Sequence, residues 1–219
     1  MIKIGITGGI GSGKSYVSHL LEEAGIPVYD TDTEAKKLTL SHPRIREGLL
    51  VLLGEEVYKA DGSLNKPVLA NYLFASAENA GRVNRIIHPC VYEDFQQWAD
   101  RQAASGTEVV AMESAILFES GFHTAVDYVV MVYAPLELRI TRAMQRDAAT
   151  EAQIRARISA QMDDEEKKRR ADYVIFNDEK ITVGYADCGV GRVACPQKNG
   201  PIVCVCHSCV VFFVTRKLN

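Results

Sequence analysis

Eight consecutive residues, Gly8-Gly9-Ile10-Gly11-Ser12-Gly13-Lys14-Ser15, satisfy the pattern G-x-x-x-x-G-K-S/T. Each residue type in it has a chemical reason. Glycines let backbone N–H groups converge on phosphate oxygens with no Cβ in the way. A helix starting near Lys14 would aim the positive end of its dipole at the anion. The Lys14 ammonium can reach the β- and γ-phosphates, and the Ser15 hydroxyl can bind Mg2+. The pattern lies between a strand-like run and a helical one, the context that separates a phosphate-binding loop from an accidental match.

A phosphate-binding loop alone leaves kinase, hydrolase and switch protein open. Asp30-Thr31-Asp32 narrows the choice. In a parallel α/β sheet, ligands bind beyond the carboxyl ends of the strands. Asp30 should end the second strand beside the loop, with Asp32 just past it, facing the γ-phosphate. A carboxylate there can accept a proton from an attacking hydroxyl or help to hold a metal. The alternative is an N-cap for the helix starting near Thr33, a position that short polar residues favour.

Arg142 and Arg146 lie four apart, on one face of a helical segment, with Arg139 three residues earlier. Phosphoryl transfer spreads charge over equatorial oxygens, and arginines presented by a lid can stabilise it. The alternative is a solvated helix face on which Arg146-Asp147 is a surface pair worth little. The run DDEEKKRR (163–170) reads as an exposed lid helix with charge pairs rather than a binding patch.

The elements that must position these groups follow from periodicity. IKIGIT (2–7) is apolar, β-branched and too short for a helix, so it reads as a buried strand. Val17, Leu20, Leu21 and Ala24 fall at helical spacing over about 14–24, and Gly25 suits a helix C-terminus. IPVYD, ending at Asp30, is a second short strand, completing a βαβ unit. From Thr33 to about Ser105 the pattern is helical, broken by turn signals at 41–43, 61–62 and His88-Pro89. Strands resume with EVVAMES (108–114), DYVVMVYA (127–134) and DYVIFN (172–177), with helical segments between the last two. Five strands alternating with helices describe a doubly wound α/β fold.

Composition sets outer bounds. The 219 residues are 47% hydrophobic and 24% charged, an ordinary globular balance. A net charge of −3 gives no electrostatic reason to expect nucleic-acid binding. No apolar run reaches the roughly 18 to 20 residues of a membrane span, and Met-Ile-Lys-Ile-Gly-Ile has no basic leader pattern. A cytoplasmic location is expected. The averages hide a boundary, however. Five of the six cysteines (Cys188, Cys195, Cys204, Cys206, Cys209) fall after residue 178, and only Cys90 before it. That stretch has five Lys/Arg against two Asp/Glu, so residues 1–178 carry −6.

TGGIGSGKS (7–15), DTD (30–32), HP (88–89), LFE (117–119), RAMQRD (142–147) and ADYVIFN (171–177) together resemble the dephospho-coenzyme A kinases, a family of P-loop nucleotide kinases. The resemblance runs from residue 1 to about 178. It implies ATP-dependent phosphorylation of the ribose 3′-hydroxyl of dephospho-CoA, the last step of CoA synthesis. It also implies a three-layer core with a five-stranded parallel sheet, a helical acceptor-binding subdomain with a core helix over about 34–105, and a lid over about 148–168. By position, Gly8, Gly11, Ser12, Gly13, Lys14, Ser15 and Tyr16 would bind ATP, with Mg2+ at Ser15. Asp32 would be the general base and Asp30 would assist at the metal or acceptor, although the sequence alone does not separate their roles. Lys14 and Arg142 would act on the transferred phosphoryl group, while Arg146 and Asn177 would serve the nucleotide. His88 would face the acceptor, unless it is only a helix-boundary residue before Pro89. ATP and dephospho-CoA would be the partners, with no nucleic acid or membrane, in a monomer or weak oligomer. Alternatives are another small-molecule or nucleoside monophosphate kinase, or a nucleotide-binding protein inactivated by its tail.

Two departures from the family pattern stand out. Ala115 replaces a proline that many members carry before the LFE segment. After Asn177 the expected glycine and closing helix are missing, and residues 179–219 resemble nothing in the family. A metal site built from Cys204, Cys206, His207 and Cys209 would be cramped, and disulfides are unsuited to a reducing compartment. The abrupt change in composition points instead to an out-of-frame tail.

Overall fold

The computed structural model describes residues 1–178, together with the strand segments 192–194 and 203–204. In chain order the first elements are β1 (Ile2–Thr7), α1 (Lys14–Glu23), β2 (Val28–Asp30), α2 (Thr31–Ser41) and α3 (Pro43–Leu53). Then come α4 (Lys66–Ala75), α5 (Ala77–Ala104), β3 (Val109–Glu113), β4 (Tyr128–Tyr133) and α6 (Leu136–Asp147). The remainder are α7 (Glu151–Ser159), α8 (Asp164–Arg170), β5 (Tyr173–Phe176), β6 (Arg192–Ala194) and β7 (Val203–Cys204). The described residues form two compact units, one of Met1–Tyr29 with those from Ser105 onward and one of Asp30–Ala104.

The first unit is built on a sheet of order β2-β3-β1-β4-β5-β6-β7. β1 pairs in parallel with β3 and β4, and β4 with β5, as the βαβ reading requires. The expected five-stranded parallel α/β sheet is present, and two antiparallel strands, β6 and β7, extend it beyond β5. The expectation that the second strand flanks the loop is corrected. β3 lies between β2 and β1, so the strands beside the loop's own strand are β3 and β4. One sheet face is closed by α1: Val17, Leu20 and Leu21 pack with Ile4, Ile6, Ala111, Val130, Val132 and Ile175. A second cluster joins α6 to α7 through Ile140, Ala143 and Ile154, with Ile10 of the glycine loop packed against it. α7 opens on a capping box between Thr150 and Gln153.

The second unit is helical. Ile45, Leu49, Val57, Leu69, Val83 and Cys90 form its core. A break at His88-Pro89 was expected from the proline, but α5 runs through it for 28 residues. Val83, Cys90, Val91, Phe95 and Ala99 are buried along this helix on both sides of Pro89. Their packing outweighs the roughly 3 kcal/mol that an interior proline costs. Pro43 sits instead at the first turn of α3, where its missing N–H is no loss.

The proposed out-of-frame origin of the tail and the Cys204–Cys209 metal alternative concern side chains that lie outside the described residues. Among the described residues no helix is long and apolar enough to cross a membrane.

Candidate active site

The glycine loop turns from the carboxyl end of β1 into the first turn of α1. Gly8, Gly11 and Gly13 have φ values of 148°, 77° and 97°, which L side chains rarely adopt. Crowding adds to the requirement: a Cβ at Gly8 would come within 2.2 Å of the Val132 carbonyl oxygen. At Gly13 it would come within 2.2 Å of Asn177 Nδ2. Gly13 is the N-cap of α1 and makes no side-chain capping bond, so no side chain at that position competes for the N–H groups of the first turn. Lys14 Nζ donates to the Gly9 carbonyl at 3.4 Å, which folds the lysine back along the loop.

Ser15 and Tyr16 follow in the first turn, both exposed. Ser15 Oγ donates to Glu113 Oε1 at 2.9 Å. The motifs of the sequence do not mark this carboxylate at the end of β3. Its signal was available, as an acidic residue closing the apolar run Val109–Met112. A hydroxyl beside a carboxylate supplies hard oxygen donors, which fits Mg2+. Among the described residues no group of three or more His, Cys, Asp or Glu forms a metal cluster. A cation here would therefore draw its remaining ligands from nucleotide phosphates and water.

Asn177, just past β5, meets the loop from the other side. Its Nδ2 donates to the Ser12 carbonyl at 2.9 Å, and its own carbonyl accepts from Arg142 Nη1 at 3.2 Å. The structure thus brings Gly13, Ser12, Asn177 and Arg142 together. Arg146 is turned to Asp147, whose oxygens lie at 2.7 Å and 3.1 Å, and Asp147 also pairs with Arg157 at 2.8 Å. Those bonds raise the Arg146 guanidinium above its ordinary value and hold the Asp147 carboxyl low.

Arg139 is placed differently from the other two arginines. It is 1% exposed, and its Nε donates to the Ile10 carbonyl at 2.9 Å. Its guanidinium forms an ion pair with Asp164 at the start of α8. Burial pushes it below its ordinary value. The run 163–170 likewise differs from an exposed charged helix. Lys168 and Arg169 do pair with Glu165 and Glu166 on its surface, but Lys167 is fully buried. Its Nζ donates to Ala115 O at 2.7 Å and pairs with Glu119 at 2.9 Å. A three-residue spacing places Asp164 and Lys167 on the same inward side, which the uninterrupted charge run conceals.

In the second unit, Asp30 is the N-cap of α2: its carboxylate accepts from Asp32 N at 3.0 Å and Thr33 Oγ1 at 2.5 Å. The capping alternative therefore describes Asp30, and Asp32 sits in the first turn of that helix. His88 lies midway along α5, half-buried, with its imidazole pushed below the ordinary value by burial.

The family model described as dephospho-CoA kinase matches residues 2–182. A dephospho-CoA kinase of Bacteroides fragilis is 58% identical over 177 residues, covering 81% of this chain and 85% of that protein. One from Porphyromonas gingivalis is 44% identical over 178 residues, covering 81% and 86%. A crystal structure from Thermus thermophilus superposes with a TM-score of 0.70 at 36% identity, covering 82% of this chain and 90% of that one.

Proposed function

The chain belongs to the dephospho-CoA kinase family, and from that premise we propose that it moves the γ-phosphoryl group of ATP to the ribose 3′-hydroxyl of dephospho-CoA. It is a P-loop kinase, and the product is CoA. The observation that carries the reading is the glycine cradle between β1 and α1, in a chain matched by the family over residues 2–182.

The reaction is in-line displacement, in which positioning and electrostatics supply most of the catalysis. The N–H groups around Gly11, Ser12 and Gly13 hold the phosphates, with Lys14 neutralising charge on the β- and γ-groups. Ser15, beside Glu113, would hold Mg2+, which would supply charge neutralisation at the phosphate oxygens. Asp32 accepts the proton of the attacking hydroxyl, and Asp30 supports the helix turn that carries it. Arg142, whose guanidinium donates to the Asn177 carbonyl, acts on the transferred group, with Asn177, Arg146 and Tyr16 toward the nucleoside and His88 toward the acceptor. The lid spans about 148–168, and α8 at its far end is held by the ion pairs of Asp164 and Lys167. The rest of the assignment is a cytoplasmic enzyme, monomeric or weakly associated, whose partners are its two small-molecule substrates and neither nucleic acid nor membrane.

The test is a phosphoryl-transfer assay on the full, mass-verified chain with ATP, Mg2+ and competing acceptors. Dephospho-CoA should be the preferred acceptor. Preference for a nucleoside monophosphate would overturn the substrate assignment. ATP binding without transfer to any acceptor would make the protein a nucleotide binder alone.

A further inference from the structure

Three residues at the tip of the glycine loop, Gly9-Ile10-Gly11, are held by side chains that come from far along the sequence. Both backbone polar groups of Ile10 are used from outside the loop. Its carbonyl accepts from Arg139 Nε at 2.9 Å, and its N–H donates to Gln161 Oε1 at 3.2 Å. The Arg139 guanidinium lies so close over Gly9 that a Cβ there would meet Nη2 at 2.2 Å. The Arg139 carbonyl lies equally close to Gly11. The Ile10 side chain packs on the cluster of Ile140, Ala143 and Ile154.

We propose that Arg139, Gln161 and Asp164 form a clamp that fixes the shape of the loop's tip, making Arg139 a positioning residue rather than a phosphate ligand. The charge of Arg139 is met by Asp164 and its Nε by a carbonyl, with the whole side chain out of solvent. A guanidinium suits the task because its planar fork serves two partners at once, which a single ammonium cannot do. The base of the clamp is itself anchored. Asp164 opens α8, and one turn later Lys167 binds Ala115 O and Glu119. Glu119 also accepts from Met162 N at 2.8 Å, fixing the segment that carries Gln161. The loop's N–H groups must point at phosphate oxygens within a fraction of an ångström, and a misplacement of about 1 Å can cost ~100-fold in rate. An unclamped Ile10 peptide would leave that geometry to the nucleotide to organise.

This inference rests on the glycine loop being the ATP site, so the experiment measures the two separately. Isothermal titration with Mg2+-ATP, and KM and kcat for both substrates, are determined for the full chain and for Gln161→Ala, Asp164→Asn, Arg139→Gln and the Arg139→Gln/Asp164→Asn double variant. Thermal midpoints check folding. Arg139→Gln and Asp164→Asn should each raise the Kd and KM for ATP by roughly tenfold, and Gln161→Ala by about threefold. KM for dephospho-CoA should stay within about twofold of wild type. The double variant should be no worse than Arg139→Gln alone, since the two residues share one interaction. If Asp164→Asn and Gln161→Ala both bind ATP as wild type does, the clamp is refuted, and a loss confined to Arg139→Gln makes that residue a phosphate ligand. Should Arg139→Gln fail to fold, the other two single variants decide by the same criterion. Failure of the wild-type chain to bind ATP refutes the nucleotide site instead.

Discussion

The Ser15 hydroxyl donates to the Glu113 carboxylate at 2.9 Å, tying the first turn of α1 to the end of β3 across 98 residues of chain. A metal held at Ser15 would feel that charge through the serine. Glu113→Gln keeps an acceptor for the hydroxyl and removes the charge. The Mg2+ concentration for half-maximal activity should rise about 10- to 100-fold, and Mn2+ binding followed by electron paramagnetic resonance with ADP present should weaken in parallel. Unchanged cation affinity would limit Glu113 to holding the serine.

Lys14 and Asp32 are assigned to charge neutralisation and proton acceptance. Lys14→Ala should reduce kcat by about 100-fold or more. Asp32→Asn should lower kcat by roughly 10²–10⁴ with ATP affinity retained, measured by single-turnover transfer. A near-wild-type rate for Asp32→Asn would exclude it as the base.

Gly13 combines φ 97° with a Cβ direction that runs into Asn177 Nδ2 at 2.2 Å. Gly13→Ala should therefore abolish ATP binding, by titration, while the far sheet and the helical unit stay folded. Asn177→Ala removes the bond to the Ser12 carbonyl and should cost about 1 kcal/mol by denaturant titration. Adding it to Gly13→Ala relieves the collision but not the left-handed strain of about 1–2 kcal/mol, so binding should recover only in part.

His88 is held below its ordinary value near 6.5 by burial. The unfolded chain then takes up a proton at a higher pH than the folded one. Stability from this residue is undiminished above pH ~6.5 and declines as pH falls from there toward the folded value. His88→Gln should flatten the slope of thermal midpoint against pH below about 6.5. An unchanged slope would show that other groups set it.

Ile45 and Leu49 on α3, both fully buried, lie in the core of the helical unit. Leu49→Ala should cost about 2–5 kcal/mol by denaturant unfolding, and a cost below 1 kcal/mol would mean that the core collapses around the gap.

Local pattern was enough for the parts of this protein that are local. The run Ile2–Thr7 is β-branched and apolar, the glycines come where φ turns positive, and Val17, Leu20 and Leu21 recur at helical spacing. The glycine loop, its flanking elements and the family were therefore readable from the sequence by itself. The carboxylate at Asp30 had two local readings, and the hydrogen bonds to Asp32 N and Thr33 Oγ1 give it the capping one. Tertiary structure alone decided the rest. Periodicity assigns each strand without its neighbours, so it could not place β3 between β2 and β1 or bring Glu113 to Ser15. Pro89 is a break by local rule and is overridden by apolar contacts on both sides of it. Lys167 and Arg139 look like solvated charges until distant carboxylates, Glu119 and Asp164, are folded against them. Arg139 and Ile10 are 129 residues apart. Whether a charge is exposed or buried depends on which partner the fold delivers, and that is a property of the assembled structure rather than of any window of sequence.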